Sequence, residues 1–153
     1  MNETVQAGNP APQANFAEET VFQELLRTSD QLTRELAPVL KAAEVSITQY
    51  NVLRILRGAR EPVTCGEIAG RMITRDPYIT RLLDRLEKRG LIERWRETRD
   101  RRVVQARITQ QGLELLAKLD GPVQEAHRRR LGHLAPERRQ ALLELLRMVR
   151  EGR

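Results

Sequence analysis

The sequence predicts a mainly α-helical chain carrying one small β-hairpin, and three observations predict it. Leucine-rich apolar stripes recur at helical spacings over most of the 153 residues. Several of those stripes begin at a residue suited to cap a helix. One stretch, Leu91 to Thr109, abandons the helical period and places β-favouring residues on both sides of a polar turn.

Composition bounds the class. At 40% hydrophobic and 31% charged, the chain fits one globular domain with a real core. Aromatics are 3%, and no apolar run approaches the ~20 residues of a membrane span, so a soluble chain with no membrane partner is expected. The N-terminus lacks a basic segment followed by an apolar one, which indicates neither a secretory signal nor an anchor and leads to an expected cytoplasmic location. One cysteine cannot staple the fold, and two histidines six positions apart do not supply the usual zinc ligand sets; no metal and no cofactor is expected.

Residues 1 to 15 hold two prolines, a glycine and polar amides without an apolar period, and read as a disordered arm. From Phe16 the pattern changes: Phe22, Leu25, Leu26, Leu32, Leu36 and Leu40 mark a long amphipathic helix to about 42, with a bend expected at Pro38, which removes a backbone donor. A second helix should start with Thr48 as N-cap and run to Gly58. In "PVTCGEIAGRM", Thr64 and Glu67 have the spacing of a capping box, and a short helix follows over 64 to 72. After the connection "ITR", Asp76 reads as the next N-cap and Pro77 as the first helical residue, where its missing N–H costs nothing. Ile79, Leu82, Leu83 and Leu86 then form one face of a helix that Gly90 ends. Two capped helices three or four residues apart are a helix-turn-helix signature.

Beyond Gly90, Ile92, Trp95, Val103, Val104 and Ile108 flank the turn "ETRD", which reads as a hairpin, or wing, with Trp95 packing it against the lobe. Thr109 caps another long helix carrying Leu113, Leu115, Leu116 and Leu119, in which Gly121-Pro122 is expected to cause a kink or break. A last helix begins at Pro136 and carries Leu142, Leu143, Leu145, Leu146 and Val149.

Charge adds a functional direction. The net charge is +6, and residues 71 to 107 alone hold 12 basic against six acidic side chains, while the excesses on either side cancel. A local excess of this kind suits a polyanion surface. With Ile79, Leu82, Leu83 and Leu86 buried, the opposite face of their helix presents Tyr78, Arg81, Arg85 and Lys88, and Arg75, Pro77 and Thr80 cluster at its N-terminal end. That end of a recognition helix enters the major groove, where Arg81, Tyr78 and Thr80 can reach phosphate or base edges. Asp84 is placed to pair with Arg81 or Lys88 on its own helix, and Arg85 and Lys88 read as a solvated face. The hairpin contributes Arg94, Arg96, Arg99, Arg101 and Arg102 beside Asp100; a guanidinium at a wing tip can enter a narrow minor groove, with the carboxylate fixing its orientation. Candidate DNA-binding residues are therefore Arg75, Pro77, Tyr78, Thr80, Arg81, Arg94, Arg99, Asp100, Arg101 and Arg102.

The ordered set "ITQYNVLRIL", "PVTCGEIAGRM", "TRLLDRLEKRGLIER" and "DRRVVQARITQQG" resembles the MarR family of winged helix regulators over about residues 16 to 150. The resemblance implies a winged helix-turn-helix lobe at about 46 to 110 and a helical dimerisation region from about 16 to 42 and 112 to 151. It further implies an obligate homodimer that binds a roughly palindromic operator in double-stranded DNA and usually represses transcription. The helix matching 76 to 89 would enter the major groove, and Arg102, two after Asp100, would reach the minor groove. A dimer would also cover the surplus apolar helices at both ends of the chain. Two departures stand out: Pro77 and Tyr78 replace the small or hydroxyl residues common at the start of the recognition helix, and Gly121-Pro122 interrupts the helix leading to the dimer region.

Members of the family often respond to small aromatic or phenolic ligands, or to oxidants through cysteine. For a ligand pocket the sequence nominates Arg27, Tyr50 and Leu53. Cys65, at the start of a short helix where the dipole can lower a thiol pKa, is a conceivable redox sensor, against the plainer reading of a space-filling residue with no resolving partner. His127 and His133 read as helix-surface residues rather than metal ligands. Ser29, Ser46 and the histidines form no readable triad, so no enzyme is expected. The alternative to a DNA-binding regulator is a protein-interaction module on a winged helix scaffold; the basic charge concentrated in 71 to 107 argues against it.

Overall fold

The computed structural model describes residues 16 to 152, and the arm read at 1 to 15 lies outside them. The elements run α1 (Phe16–Ala42), α2 (Ile47–Gly58), β1 (Val63–Thr64), α3 (Cys65–Arg71), α4 (Ile79–Lys88), β2 (Ile92–Arg96), β3 (Val104–Ile108), α5 (Gln110–Leu131) and α6 (Pro136–Glu151). The chain divides after Gln31 into two units. The described part of the first is the opening half of α1, which leaves Val21, Phe22 and Leu26 exposed.

In the second unit the core joins the rest of α1 to α2, α3, α4, β2 and α5. Leu40, Val52, Leu53, Ile68, Leu83, Leu86, Ile92 and Leu116 are its largest fully buried members. They come from the apolar stripes already visible in the sequence, and burying such side chains is the main term favouring the fold. None of the residues of α6 is buried.

Several local expectations are corrected. α2 starts at Ile47, one residue before Thr48, because Ser46 forms the capping box: its hydroxyl accepts from the Gln49 N–H while the Gln49 side chain accepts from the Ser46 N–H. Thr48 instead exchanges a hydroxyl contact with Ser46 at 3.0 Å. Asp76 is not an N-cap and Pro77 is not helical. The Asp76 carboxylate accepts from the Tyr78 N–H at 2.7 Å, an Asx turn that spends both residues before α4 begins at Ile79. The connection between α3 and α4 is correspondingly longer than the three or four residues expected.

α5 runs unbroken through Gly121-Pro122, and α1 runs on through Pro38. Proline removes one helical hydrogen bond, but Leu119, Val123 and Ala126 on either side of Pro122 are buried, and that packing holds α5 together. The sheet has three strands, not two, in the order β1-β3-β2, all antiparallel. β1 is only two residues long, with Val63 opposite Ala106, too short for any periodic signal.

One buried polar residue positions the turn ahead of the recognition helix. Asn51 on α2 is 9% exposed, and its side-chain oxygen accepts from the Ile73 N–H at 2.8 Å. Asn51→Leu should therefore cost about 1–3 kcal/mol, the penalty of an N–H deprived of its acceptor. Urea denaturation measures it, and an unchanged midpoint would remove Asn51 from this role.

Candidate nucleic-acid interface

α4 is built as an amphipathic helix. Leu82, Leu83 and Leu86 are buried and Ile79 half-buried, which leaves Tyr78, Arg81, Arg85 and Lys88 on the outer side. Tyr78 is 62% exposed, and the Arg81 guanidinium lies over its ring at 5.4 Å. Stacking of this kind pre-orients the guanidinium and leaves its outer N–H groups available. Arg75, Pro77 and Thr80 are exposed at the same end of the helix. The helix stops where Gly90 takes a left-handed φ of +70°, as the glycine predicted.

Around Gly90 the chain is tightly tied. The Thr109 hydroxyl donates to the Gly90 carbonyl at 2.6 Å, the Thr109 N–H to the Leu91 carbonyl at 3.1 Å, and the same hydroxyl accepts from the Gly112 N–H at 3.1 Å. Arg89 caps the other side, donating to the Glu44 carbonyl at 2.5 Å and so satisfying the chain end of α1.

The wing tip is held by its own backbone. Asp100 accepts from the Arg102 N–H at 2.9 Å, its carbonyl from the Val103 N–H at 3.0 Å, and Arg96 donates to the Arg101 carbonyl at 2.8 Å. Asp100 thus shapes the turn rather than orienting a guanidinium, and Arg99, Arg101 and Arg102 are all exposed. Among the described residues, Arg75, Arg81, Arg85, Lys88, Arg99, Arg101 and Arg102 pair with no carboxylate. A surface that leaves so many cations uncompensated suits phosphate.

Arg94, also nominated for DNA contact, differs from these in being paired. Its side chain is 16% exposed and bonds Asp84 and Glu87 of α4, with Nη2 and Nε at 2.7 and 3.1 Å from Glu87 Oε2. Burial by itself would lower its pKa, but the bonds to Glu87 and Asp84 outweigh burial and hold it above its ordinary value. Asp84 therefore pairs across to the wing, not with Arg81 or Lys88 of its own helix. Trp95 is corrected for the same reason of strand alternation. Ile92 and Arg94 point inward, so Trp95 points out, 38% exposed, with the Arg107 guanidinium 5.4 Å from its ring centre.

Leu53 is fully buried, Tyr50 is buried with its hydroxyl pKa raised chiefly by desolvation, and Arg27 is exposed beside Glu24 on its own helix. A cleft of about 490 Å³ lies between Thr33, Ala37, Leu40 and Lys41 of α1 and Glu44, Val45, Ser46 and Ile47. Burial also pushes the Cys65 thiol up, against the pull of Arg94, so the dipole does not yield a lowered pKa there. His127 and His133 are exposed, and among the described residues no group of three His, Cys, Asp or Glu side chains could hold a metal. No helix among them is long and apolar enough to cross a membrane.

A basic helix preceded by a short capped helix and followed by an arginine-tipped hairpin defines a winged helix DNA-binding protein. The MarR family model matches residues 45–104, the whole of that lobe up to the first residue of β3. A MarR transcription factor from Planctomyces limnophilus is 39% identical, with 85% of this chain and 95% of that one covered and a TM-score of 0.68. The chain belongs to the MarR family and is a DNA-binding transcription regulator. It is also similar to Sco3205, a MarR family transcriptional regulator from Streptomyces coelicolor solved in complex with DNA (28% identity, 94% and 92% covered, TM-score 0.80). The transcriptional repressor IacR of Pseudomonas putida is 27% identical over 92% of this chain and 84% of its own.

Proposed function

We propose that this regulator is a homodimeric repressor that reads a roughly palindromic operator in double-stranded DNA and leaves it when a small aromatic or phenolic ligand binds. The observation that carries the reading is the row of unpaired arginines shared by α4 and the wing tip. Arg75, Pro77, Tyr78, Thr80 and Arg81 meet the major groove, and Arg99, Arg101 and Arg102 the adjacent minor groove, with Asp100 holding the tip in shape. Repression is supported by the likeness to IacR. The lobe at about 46 to 110 does the reading, the helices at about 16 to 42 and 112 to 151 join two copies, and the protein acts in the cytoplasm without enzymatic activity. The open, largely apolar-walled cleft that carries Lys41 and Glu44 is a place for a small aromatic ligand.

Dimerisation rests on α6. Leu142, Leu143, Leu145, Leu146, Met148 and Val149 are each 39–63% exposed, more apolar surface than a monomer leaves in one place. In Leu146→Glu, sedimentation should report monomers where the parent chain reports dimers; a dimeric variant would refute this assignment of α6.

An anisotropy titration on the DNA upstream of the coding sequence, against scrambled DNA at several salt concentrations, tests the reading as a whole. Preference for the upstream DNA by about a thousandfold or more, with steep loss in salt, is expected. Equal weak binding to both would favour an interaction module instead.

A further inference from the structure

We propose that Arg94 is a positioning residue for DNA binding: from the wing strand it holds Asp84 and Glu87 of α4, so that recognition helix and wing meet DNA as one rigid unit, and it does so without touching DNA itself. The inference rests on the DNA-reading function above and concerns how that site is kept in shape.

An arginine at 16% exposure is unusual unless its charge is matched, and here it is matched twice. Nε and Nη2 of Arg94 both reach Glu87 Oε2, at 3.1 and 2.7 Å, and Nη2 also reaches Asp84. The Arg94 backbone N–H donates to Glu87 Oε1 at 3.1 Å, so Glu87 holds the strand by its main chain as well as by its side chain. Asp84 and Glu87 are three apart on α4 and face the same way. Both are about 40% exposed, and partly exposed ion pairs add little to overall stability. What the arrangement sets is geometry.

The wing needs such a tie. Its covalent link to α4 is the short turn through Gly90, and Trp95, the residue best suited to lock the hairpin by packing, faces outward. Thr80 of α4 and Arg102 of the wing line one cleft of about 390 Å³ together with Arg94. These two groove-facing elements therefore keep a fixed separation only if something spans the cleft, and Arg94 spans it. The tie also occupies two carboxylates that would otherwise face the incoming phosphates.

The test is the triple variant Asp84→Asn, Glu87→Gln, Arg94→Met, which removes the tie and leaves the chain more basic by one charge. Affinity is measured by anisotropy at several salt concentrations, on a duplex that the unaltered chain selects from a random pool and on a scrambled duplex. Charge alone would make the variant bind more tightly. The proposal expects the selected-to-scrambled affinity ratio to fall by about tenfold or more. Scrambled binding should hold or tighten slightly with the added charge, and the salt slope should not flatten, since no phosphate contact is lost. A role in folding alone would move the melting temperature and leave the ratio intact, and an intact ratio overturns the proposal. If the triple variant does not fold, Arg94→Lys is read in the same way: it keeps the charge but lacks the fork, and should lose part of the ratio. A retained ratio here, with Arg81→Ala and Arg102→Ala impaired, sinks the tie and leaves the DNA reading standing. Absence of any preferred duplex for the unaltered chain overturns both.

Discussion

Arg102→Ala is expected to weaken operator binding by about ten- to a hundredfold, and Arg81→Ala by a similar factor, each corresponding to about 1–3 kcal/mol. The two should differ in kind. Arg102 is exposed at a turn whose backbone is already ordered by Asp100, so the proposed minor-groove contact would form at little entropic cost. Its loss removes a charge from the phosphate field and should flatten the plot of log affinity against log salt by about 0.9. Arg81 is stacked on Tyr78 at the end of α4 proposed to enter the major groove, and its loss should relax base preference at one position of each half-site. Arg107→Ala is the control: it too removes a guanidinium from the hairpin, but one paired with Glu93 and set over Trp95, and it should leave operator affinity within about twofold. Unchanged operator affinity in both Arg102→Ala and Arg81→Ala would refute these contacts.

Gly112→Ala is expected to destabilise the lobe by about 3 kcal/mol, lowering the melting temperature by about 6–12 °C. On propensity alone the change should help, because alanine favours a helix over glycine by about 1 kcal/mol. Sterics decide otherwise. A Cβ at position 112 would lie 2.3 Å from the Leu91 carbonyl oxygen and 2.6 Å from Ile108 Cγ1. The carbonyl is main chain and accepts from Thr109, so it cannot swing aside as a long side chain could. Gly70→Ala provides the contrast, since nothing lies within 4 Å of a Cβ there and the position is exposed. It should stabilise by up to about 1 kcal/mol. Thermal melts of the two variants check both signs; destabilisation by neither would mean that the wing root is looser than the geometry implies.

Much of the architecture was legible because it is periodic or capped locally. In the stripe Ile79, Leu82, Leu83 and Leu86 the three leucines bury fully and Ile79 partly, the Thr64 box and the Thr109 cap form as written, and Gly90 takes the left-handed turn. Local signals failed where two residues competed for one job. Ser46 and Thr48 both offer a capping hydroxyl, and only Ser46 has a glutamine three residues on to close the box. Asp76 used its side chain on a turn instead of a helix end. β1 went unseen because two residues carry no period, and its pairing partner lies some forty residues away in β3.

The candidate site divides in the same way. Arg75, Tyr78, Thr80, Arg81, Arg99, Arg101 and Arg102 are exposed as the sequence suggested. Arg94 could have been separated from them by parity alone, since it lies two residues after buried Ile92 and strand alternation aims it inward. Tyr50 and Leu53, nominated as pocket walls, are both buried on α2, where a core face and a ligand-facing one look alike along the helix.

By itself, then, the sequence determined the helices, the wing, the basic bias of residues 71 to 107 and the family, because spacing, caps and local charge are properties of neighbours along the chain. Only the tertiary structure decided which arginines are spent on carboxylates and which are free for phosphate, why Gly112 must be glycine, and how Asn51 holds the turn before α4. Those are contacts between residues 20 or more positions apart or on separate elements, and their geometry exists only once burial has brought the elements together.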